Sequence, residues 1–148
     1  MEAIRTAYST AYSRLLLLLK GGKIGKVLSV DATCSSIKEV KDVSEINSLK
    51  DWGPTALLPI FQILGTEYDK KTIISNFADS NNKNDSFTKI NFIYEKAIGS
   101  IKVAEKAKSE GDLIITGTEG YLYVPAPWWK TDYFEIRFED QSNNKRYF

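Results

Sequence analysis

Histidine is absent from this 148-residue chain, and its absence removes whole classes of catalytic site. A Ser-His-Asp or Cys-His nucleophile system cannot be assembled from these residues. Zinc sites that use histidine are excluded as well. A single cysteine cannot supply the thiolates of the alternatives, so we expect no metal site. Any acid–base chemistry must therefore come from Asp, Glu, Lys or Tyr.

Cysteine is scarce, and long apolar runs and an excess of one charge are lacking. Cys34 is the only cysteine, so no internal disulfide is possible and a reducing cytoplasm is the expected setting. The leucine run Leu15–Leu19 is far shorter than the ~20 apolar residues that span a membrane, so we expect a soluble protein with no membrane partner. Twenty Lys and Arg against nineteen Asp and Glu give a net charge of +1, which does not favour a nucleic-acid partner.

Two helices are predicted in the first half of the chain. Thr10–Lys20 places apolar residues on one helical face and is followed by the stop signal Gly21-Gly22. Pro54–Leu64 begins with proline at its favoured first-turn position. The polar stretch before it, Ser35–Lys50, is predicted as a long loop. Residues 3–8 fit either an extra helical turn or an extended lead-in.

The remaining segments alternate in polarity and are rich in β-branched and aromatic residues, as strands are. Most of their connections are short, so consecutive strands should pair antiparallel. Two helices near the start and then a run of strands indicate a layered α+β domain. The predicted strands are Val27–Cys34, Thr72–Ala78, Phe87–Glu95, Ala97–Ala104, Asp112–Gly117, Tyr121–Val124 and Tyr133–Phe138.

The strand Phe87–Glu95 has two different faces. One face is mainly apolar and should pack on the helices. The other face is mixed, with Phe87 and Ile93 among Lys89 and Asn91. A sheet face that is only half polar is typical of a surface that meets another protein.

Five short segments, in this order, resemble the Gfo/Idh/MocA family of oxidoreductases. They are Gly22–Val27 at the entry to the first strand, Asp51–Thr55 with the helix after it, Gly99–Ile101 near mid-sheet, the hairpin Ile115–Gly120, and Pro127-Trp128. The resemblance implies the family's C-terminal domain: an open-faced, mainly antiparallel β-sheet with helices packed on one face. In the family, this domain lies behind a Rossmann domain that binds NAD or NADP.

The nucleotide-binding half of such an enzyme is absent from these residues. No Gly-x-Gly-x-x-Gly follows a strand, and the family's Glu-Lys-Pro motif with its catalytic lysine does not occur. We therefore expect residues 1–148 to form a single substrate-binding and oligomerisation domain. By itself the chain should bind no cofactor and be inactive, whereas the intact protein should use NAD or NADP.

Asp51 is the strongest candidate for a site residue. In the family, the matching Asp lies at the substrate pocket, four residues before a His or Tyr that handles the substrate proton. Thr55 stands at that fourth position, and its hydroxyl is a poor general base. The alternative is that Asp51 caps a helix beginning at Pro54, and one carboxylate can do both. For catalysis, we expect Asp51 to hold a substrate hydroxyl rather than to remove its proton.

Aromatic residues are further candidates for the wall of the pocket: Tyr8, Tyr12, Trp52 and Trp128. The pair Trp128-Trp129 could stack on a sugar ring, although packing in a core or interface is the usual role of such side chains. Lys102, Lys106 and Lys108, together with Glu105 and Glu110, are interpreted as a solvated hairpin end.

Two functions remain open at this point. The first is an NAD(P)-dependent oxidoreductase that acts on a sugar or polyol-like substrate, with this chain forming one wall of the pocket and a homo-oligomer interface. The second is a non-catalytic binding or assembly module that retains the fold. The lack of histidine and the presence of Thr55 favour the second function for this chain alone.

Overall fold

Two α-helices and eight β-strands form the part of the chain that the structure, a computed structural model, describes, which is residues 9–148. Helix α1 is Thr10–Lys20, as predicted, and Ser9 caps it because its hydroxyl accepts the Tyr12 N–H at 3.1 Å. Helix α2 is Ser48–Leu64. The lead-in over residues 3–8 and the candidate Tyr8 lie outside the described residues.

The strands form one sheet in the order β2-β3-β4-β1-β5-β6-β7-β8. Strand β1 lies between β4 and β5, parallel to the first and antiparallel to the second, and every other neighbouring pair is antiparallel. The predicted α+β fold with a mainly antiparallel sheet is therefore confirmed. The strands are β1 Val27–Ser35, β2 Lys70–Phe77, β3 Asp85–Ile93, β4 Ile98–Ala104, β5 Leu113–Gly117, β6 Tyr121–Val124, β7 Phe134–Arg137 and β8 Lys145–Tyr147.

The parallel pair β1–β4 determines where the two strands end. Ser29 lies opposite Ile98 at one end of the pair, and Ser35 lies opposite Ala104 at the other. Because the strands run in the same direction, their carboxyl ends meet at one edge of the sheet. The segments that leave this edge therefore start side by side.

Helix α2 starts earlier than the sequence predicts. The predicted start at Pro54 is wrong, since Pro54 lies inside the helix. The last residues of the predicted loop Ser35–Lys50 belong to the first turn of α2. A short 3-10 turn, Val43–Glu45, with a capping box at Asp42 also orders that segment. Tertiary contacts explain the early start, because carboxylates from the sheet accept hydrogen bonds from the first N–H groups of α2, as described below.

The hydrophobic core lies between the helices and one side of the sheet. On β3 the predicted inward face is correct, because Ile90 and Phe92 are buried while Lys89 and Asn91 are exposed. Cys34 is buried as expected, and burial raises the pKa of its thiol to about 12. Other buried side chains in this layer are Leu15, Val30, Ala56, Ile60, Ile101, Val103, Leu113, Ile115, Leu122, Trp128, Phe134 and Ile136.

The other side of the sheet carries no helix among residues 9–148. Part of it is lined by aromatic and charged side chains, with the Arg137 guanidinium 4.4 Å from the centre of the Tyr123 ring and 3.0 Å from Glu135. We call this side the open face. Within the described residues, no helix is long and apolar enough to cross a membrane.

Candidate functional site

Polar and charged side chains gather where β1 and β4 end and α2 begins. The chain leaving β1 continues beside the chain leaving β4, since the Lys38 N–H donates to the Glu105 carbonyl at 2.8 Å and Ile37 bridges to Lys106. The first turn of α2 lies against the same segments. We call Lys38, Asp51 and Glu105 the helix-start cluster.

Two carboxylates from the sheet hold the first turn of α2. Glu105 Oε1 accepts the Asn47 N–H at 2.7 Å, and Asp85 Oδ2 accepts the Leu49 N–H at 3.0 Å. Asn47, at the cap position, forms no side-chain capping bond of its own. Carboxylates at a helix N-terminus satisfy free N–H groups and oppose the positive end of the helix dipole. The sheet therefore fixes where α2 begins.

The Lys38 ammonium links the two acidic members of the cluster. Its Nζ lies 3.4 Å from Asp51 Oδ2 and 3.8 Å from Glu105 Oε2, and it donates to the Glu45 carbonyl at 2.7 Å. Asp51 and Lys38 are partly exposed, with side-chain exposures of 43% and 39%, whereas Glu105 is 5% exposed. The cluster thus runs from solvent into the protein.

The pKa of the Glu105 carboxyl is raised above its ordinary value. Burial raises the pKa of its carboxyl, the Asn47 N–H opposes this, and the hydrogen bond and charge of Asp51 raise the pKa further. Lys38 opposes the rise through its positive charge. The balance is a raised pKa, so this carboxyl holds its proton to a higher pH than an exposed Glu.

The prediction that Glu105 belongs to a solvated hairpin end is wrong. Its side chain follows the inward side of β4, where Ile101 and Val103 are buried at alternate positions. The period-2 pattern of that strand, continued by one step beyond Ala104, places residue 105 inward. The sequence therefore contained a signal for Glu105, whereas no pattern indicated Lys38.

Asp51 is not a cap of a helix beginning at Pro54, because α2 already begins at Ser48 and the Asp51 N–H donates to the Asn47 carbonyl. Its carboxylate remains available to the helix-start cluster. Thr55, one turn later, is buried at 5% exposure, so its hydroxyl is not on the solvent side of the cluster.

The aromatic candidates occupy two different places. Trp52 follows Asp51, donates its indole N–H to the Ser36 hydroxyl at 3.2 Å, and lies 4.9 Å from the Trp129 ring. Trp129 in turn lines a recess of about 430 Å³ with Lys108, Glu110 and Pro127 as some of its other walls.

Tyr12 and Trp128 lie in the core instead. Tyr12 is 4% exposed and donates its phenol to Gln62 Oε1 at 2.7 Å, and burial raises its pKa. Trp128 is 1% exposed and donates its indole N–H to the Thr33 carbonyl at 3.0 Å. The two line a void of only about 10 Å³ beside α1, which is too small for a substrate. The packing interpretation of Trp128 is therefore confirmed.

Metal-binding groups do not gather in this part of the molecule. Across residues 9–148 there is no set of three His, Cys, Asp or Glu side chains that could hold a metal ion. What the site offers is two carboxyl groups, one ammonium and an adjacent aromatic wall. Such groups can hold a polar small molecule and exchange protons with it.

Comparison by sequence gives no relative, since no protein-family model and no curated protein matches the chain. Comparison by structure gives clear similarity. KijD10, a 3-ketoreductase from Actinomadura kijaniata in complex with TDP-benzene and NADP, matches 97% of this chain with a TM-score of 0.80 at 11% identity. An oxidoreductase from Agrobacterium radiobacter, in complex with NAD+, L-tartaric acid and magnesium, matches 99% with a TM-score of 0.73 at 18% identity.

The matches cover only part of the similar structures. The chain corresponds to 45% of the KijD10 chain and to 44% of the Agrobacterium radiobacter chain. It therefore spans less than half the length of these solved proteins, and at such identities the likeness shows the fold alone.

Proposed function

We propose, from the fold that this chain shares with the C-terminal domains of Gfo/Idh/MocA-type oxidoreductases, that it is the substrate-pocket and oligomerisation domain of an NAD(P)-dependent oxidoreductase. The observation that carries the proposal is the match over nearly the whole chain to a 3-ketoreductase crystallised with NADP and to an oxidoreductase crystallised with NAD+. The nucleotide would be bound by another part of the protein.

In this proposal the helix-start cluster forms part of the substrate pocket. Asp51 is exposed at the first turn of α2, and the Lys38 ammonium contacts one of its carboxylate oxygens. The Asp51 carboxylate can therefore also accept a hydrogen bond from a substrate hydroxyl. Trp52, beside it, supplies an aromatic wall with its polar edge held by Ser36. Thr55 and Trp128, both buried, would support the pocket from behind.

The substrate class that we propose is a sugar or a polyol-like molecule. A carboxylate, an ammonium and an aromatic wall are suited to a ligand with several hydroxyl groups and an apolar ring face. The structural match to a 3-ketoreductase in complex with TDP-benzene supports a small molecule of this kind. A cytoplasmic location remains our expectation from the single, buried thiol.

We predict that this chain alone does not bind NAD or NADP. In dinucleotide-binding domains, a glycine-rich turn and a helix N-terminus supply the backbone donors for the phosphates. No such glycine motif occurs in this sequence. Calorimetric titration with each dinucleotide should therefore show no saturable heat, and micromolar binding would show that part of the nucleotide site lies in this chain.

We also predict self-association through the open face. Ile74 and Ile98 are exposed large hydrophobic residues on this face, and Phe87 and Ile93 are half-buried on the mixed side of β3. A stable interface should bury more than ~1,000 Å² in total. Light scattering behind size exclusion should give at least a dimer, and changing Ile93 to Lys should shift the protein toward the monomer. A monomeric parent protein would contradict this prediction.

The alternative function is a non-catalytic binding or assembly module. The buried Thr55 at the family's acid–base position is the observation that favours it. The coding sequence upstream of Met1 separates the two functions. A strand followed by Gly-x-Gly-x-x-Gly would support the oxidoreductase, whereas an unrelated domain in that position would support the binding module.

A further inference from the structure

We propose that the recess beside Trp129 is a second sugar-binding subsite, which holds a neutral ring joined to the ring that reacts at the helix-start cluster. The substrate is then a glycoside or a disaccharide rather than a single sugar. The reacting ring rests on the function proposed above, whereas binding of the neighbouring ring is a property of this chain. Trp129 is thereby assigned as a specificity-determining residue.

The recess adjoins the helix-start cluster through two indole rings. Trp52 follows Asp51 on α2, and the centre of its ring lies 4.9 Å from the centre of the Trp129 ring. Trp129 in turn lines the recess. The hydrogen bond from Trp52 Nε1 to the Ser36 hydroxyl, at 3.2 Å, fixes the orientation of the first ring. A ligand that lies against Asp51 can therefore extend along the two indoles into the recess.

Buried Gly111 makes room for the Trp129 ring. A Cβ atom at this position would lie 2.9 Å from Trp129 Cζ3 and 3.0 Å from Cη2, which is closer than carbon atoms pack. The Gly111 carbonyl also accepts the Trp128 N–H at 2.9 Å, and this bond joins the segment before β5 to the segment after β6. The ring is thus seated on backbone, and its position is fixed before any ligand binds.

The two loops that form the recess are also held in place. In the segment 108–111, the Ser109 N–H donates to the Ser35 hydroxyl at 3.0 Å, and that hydroxyl donates to the Ser109 carbonyl at 3.1 Å. In the turn that carries Trp129, the Thr131 hydroxyl lies 2.9 and 2.8 Å from two backbone carbonyl oxygens. Loops that are already ordered lose little conformational freedom when a ligand binds, and this favours affinity.

The walls of the recess suit a neutral ring with hydroxyl groups. Its volume of about 430 Å³ lies within the range of ~300–1,000 Å³ typical of small-molecule pockets. Trp129 and Pro127 offer apolar faces on which the C–H face of a sugar ring packs. Lys108 and Glu110, both exposed, supply a donor and an acceptor for ring hydroxyls. Among the described lining residues these two charges cancel, which does not favour a phosphate group.

NMR of the tryptophan side chains in the 148-residue chain tests the subsite directly. The chain has three tryptophans, Trp52, Trp128 and Trp129, and each indole N–H is a separate reporter. The ligands are a panel of neutral α- and β-linked disaccharides of glucose, galactose and mannose. At least one of them should shift the Trp129 and Trp52 signals saturably. The Trp128 signal should move least, because Trp128 is buried and donates to the Thr33 carbonyl.

Four variants test the role of the Trp129 ring. Trp129→Ala should weaken disaccharide binding about tenfold, as followed at the Trp52 signal, and Trp129→Phe should restore most of the affinity. Gly111→Ala should also weaken binding, because its Cβ displaces the ring without removing a group that contacts the ligand. Tyr121→Ala removes a half-buried aromatic side chain of the open face and is the matched control, with unchanged affinity expected.

Two results of the titrations would overturn the proposal. The first is the lack of a saturable shift with every disaccharide of the panel, or an affinity that Trp129→Ala leaves unchanged. The second is a Trp129 signal that shifts with uridine diphosphate but not with the disaccharides, which would assign the recess to an anionic ligand. Neither result depends on oxidoreductase activity.

Kinetics of the natural protein that contains this domain separate this inference from the proposed function. Trp129→Ala should raise KM for the disaccharide about tenfold and leave KM for the matching methyl glycoside unchanged, whereas Asp51→Asn should impair both. Equal effects of Trp129→Ala on the two sugars would overturn the second subsite but not the oxidoreductase. Disaccharide binding at Trp129 without oxidation or reduction of any sugar would support the subsite and contradict the proposed function.

Discussion

Replacing Trp128 by Ala should lower the free energy of unfolding by about 3–5 kcal/mol, the range found when large buried aromatic residues are truncated. Trp128 is 1% exposed and has one of the largest fully buried side chains of the described core. Its removal would leave a cavity between α1 and the sheet and would also leave the Thr33 carbonyl without the indole N–H. Urea denaturation followed by circular dichroism measures the loss.

Two further variants separate the contributions at this position. Trp128→Phe keeps most of the packing but loses the hydrogen bond to Thr33, so it should cost about 1–3 kcal/mol. Leu17→Ala changes a residue of α1 that is 68% exposed and should stay within about 0.5 kcal/mol of the parent. If Trp128→Ala were as mild as Leu17→Ala, Trp128 would be a surface residue, and its candidacy for the pocket would return.

Gly99→Val should lower the free energy of unfolding by about 2–3 kcal/mol, because overpacking of a tight interface is costly. A Cβ atom at Gly99 would lie 2.5 Å from Ile60 Cγ2 and 3.4 Å from Leu64 Cδ1. Gly99 thus lets α2 approach β4 closely. A side chain there would push the helix away from the sheet and disturb the bonds that Glu105 and Asp85 make to its first turn.

A double-mutant cycle tests this reason. Ile60→Ala alone should cost about 2–5 kcal/mol through a cavity, but it removes the atoms that Gly99→Val would meet. The double variant should therefore be more stable than the sum of the two losses by about 1 kcal/mol or more. Ser100→Val, on the open face of the same strand, is the control and should be nearly neutral. Additive losses would mean that α2 and β4 do not meet at Gly99.

The sequence predicted the elements of the fold better than their boundaries. Helix α1 and strand β6 agree residue for residue with the predictions, since apolar periodicity and glycine stops are local signals. The start of α2 was missed because Glu105 and Asp85, distant in sequence, hold its first turn. The place of β1 between β4 and β5 was not predicted, because strand order depends on contacts across the whole chain.

The sequence likewise indicated some residues of the candidate site and missed others. Asp51 could be chosen from its segment, and Trp52 lies beside it. Glu105 was misjudged because its lysine neighbours suggested a solvated turn, although the alternation of β4 points it inward. Burial then changes its chemistry, and burial is a tertiary property. Trp128 looked like Trp129 in sequence, yet one lies in the core and the other lines a recess.

The kinetics of Asp51→Asn in the natural protein that contains this domain test the central claim most directly. Loss of a charged hydrogen-bond acceptor for a substrate hydroxyl costs about 1.5–3 kcal/mol, so kcat/KM for a sugar or polyol with NAD(P) should fall about tenfold or more, mainly through KM. Glu39→Gln, an exposed acid beside Lys38, is the matched control and should leave kcat/KM unchanged. An unchanged kcat/KM in Asp51→Asn would contradict a substrate pocket at the start of α2.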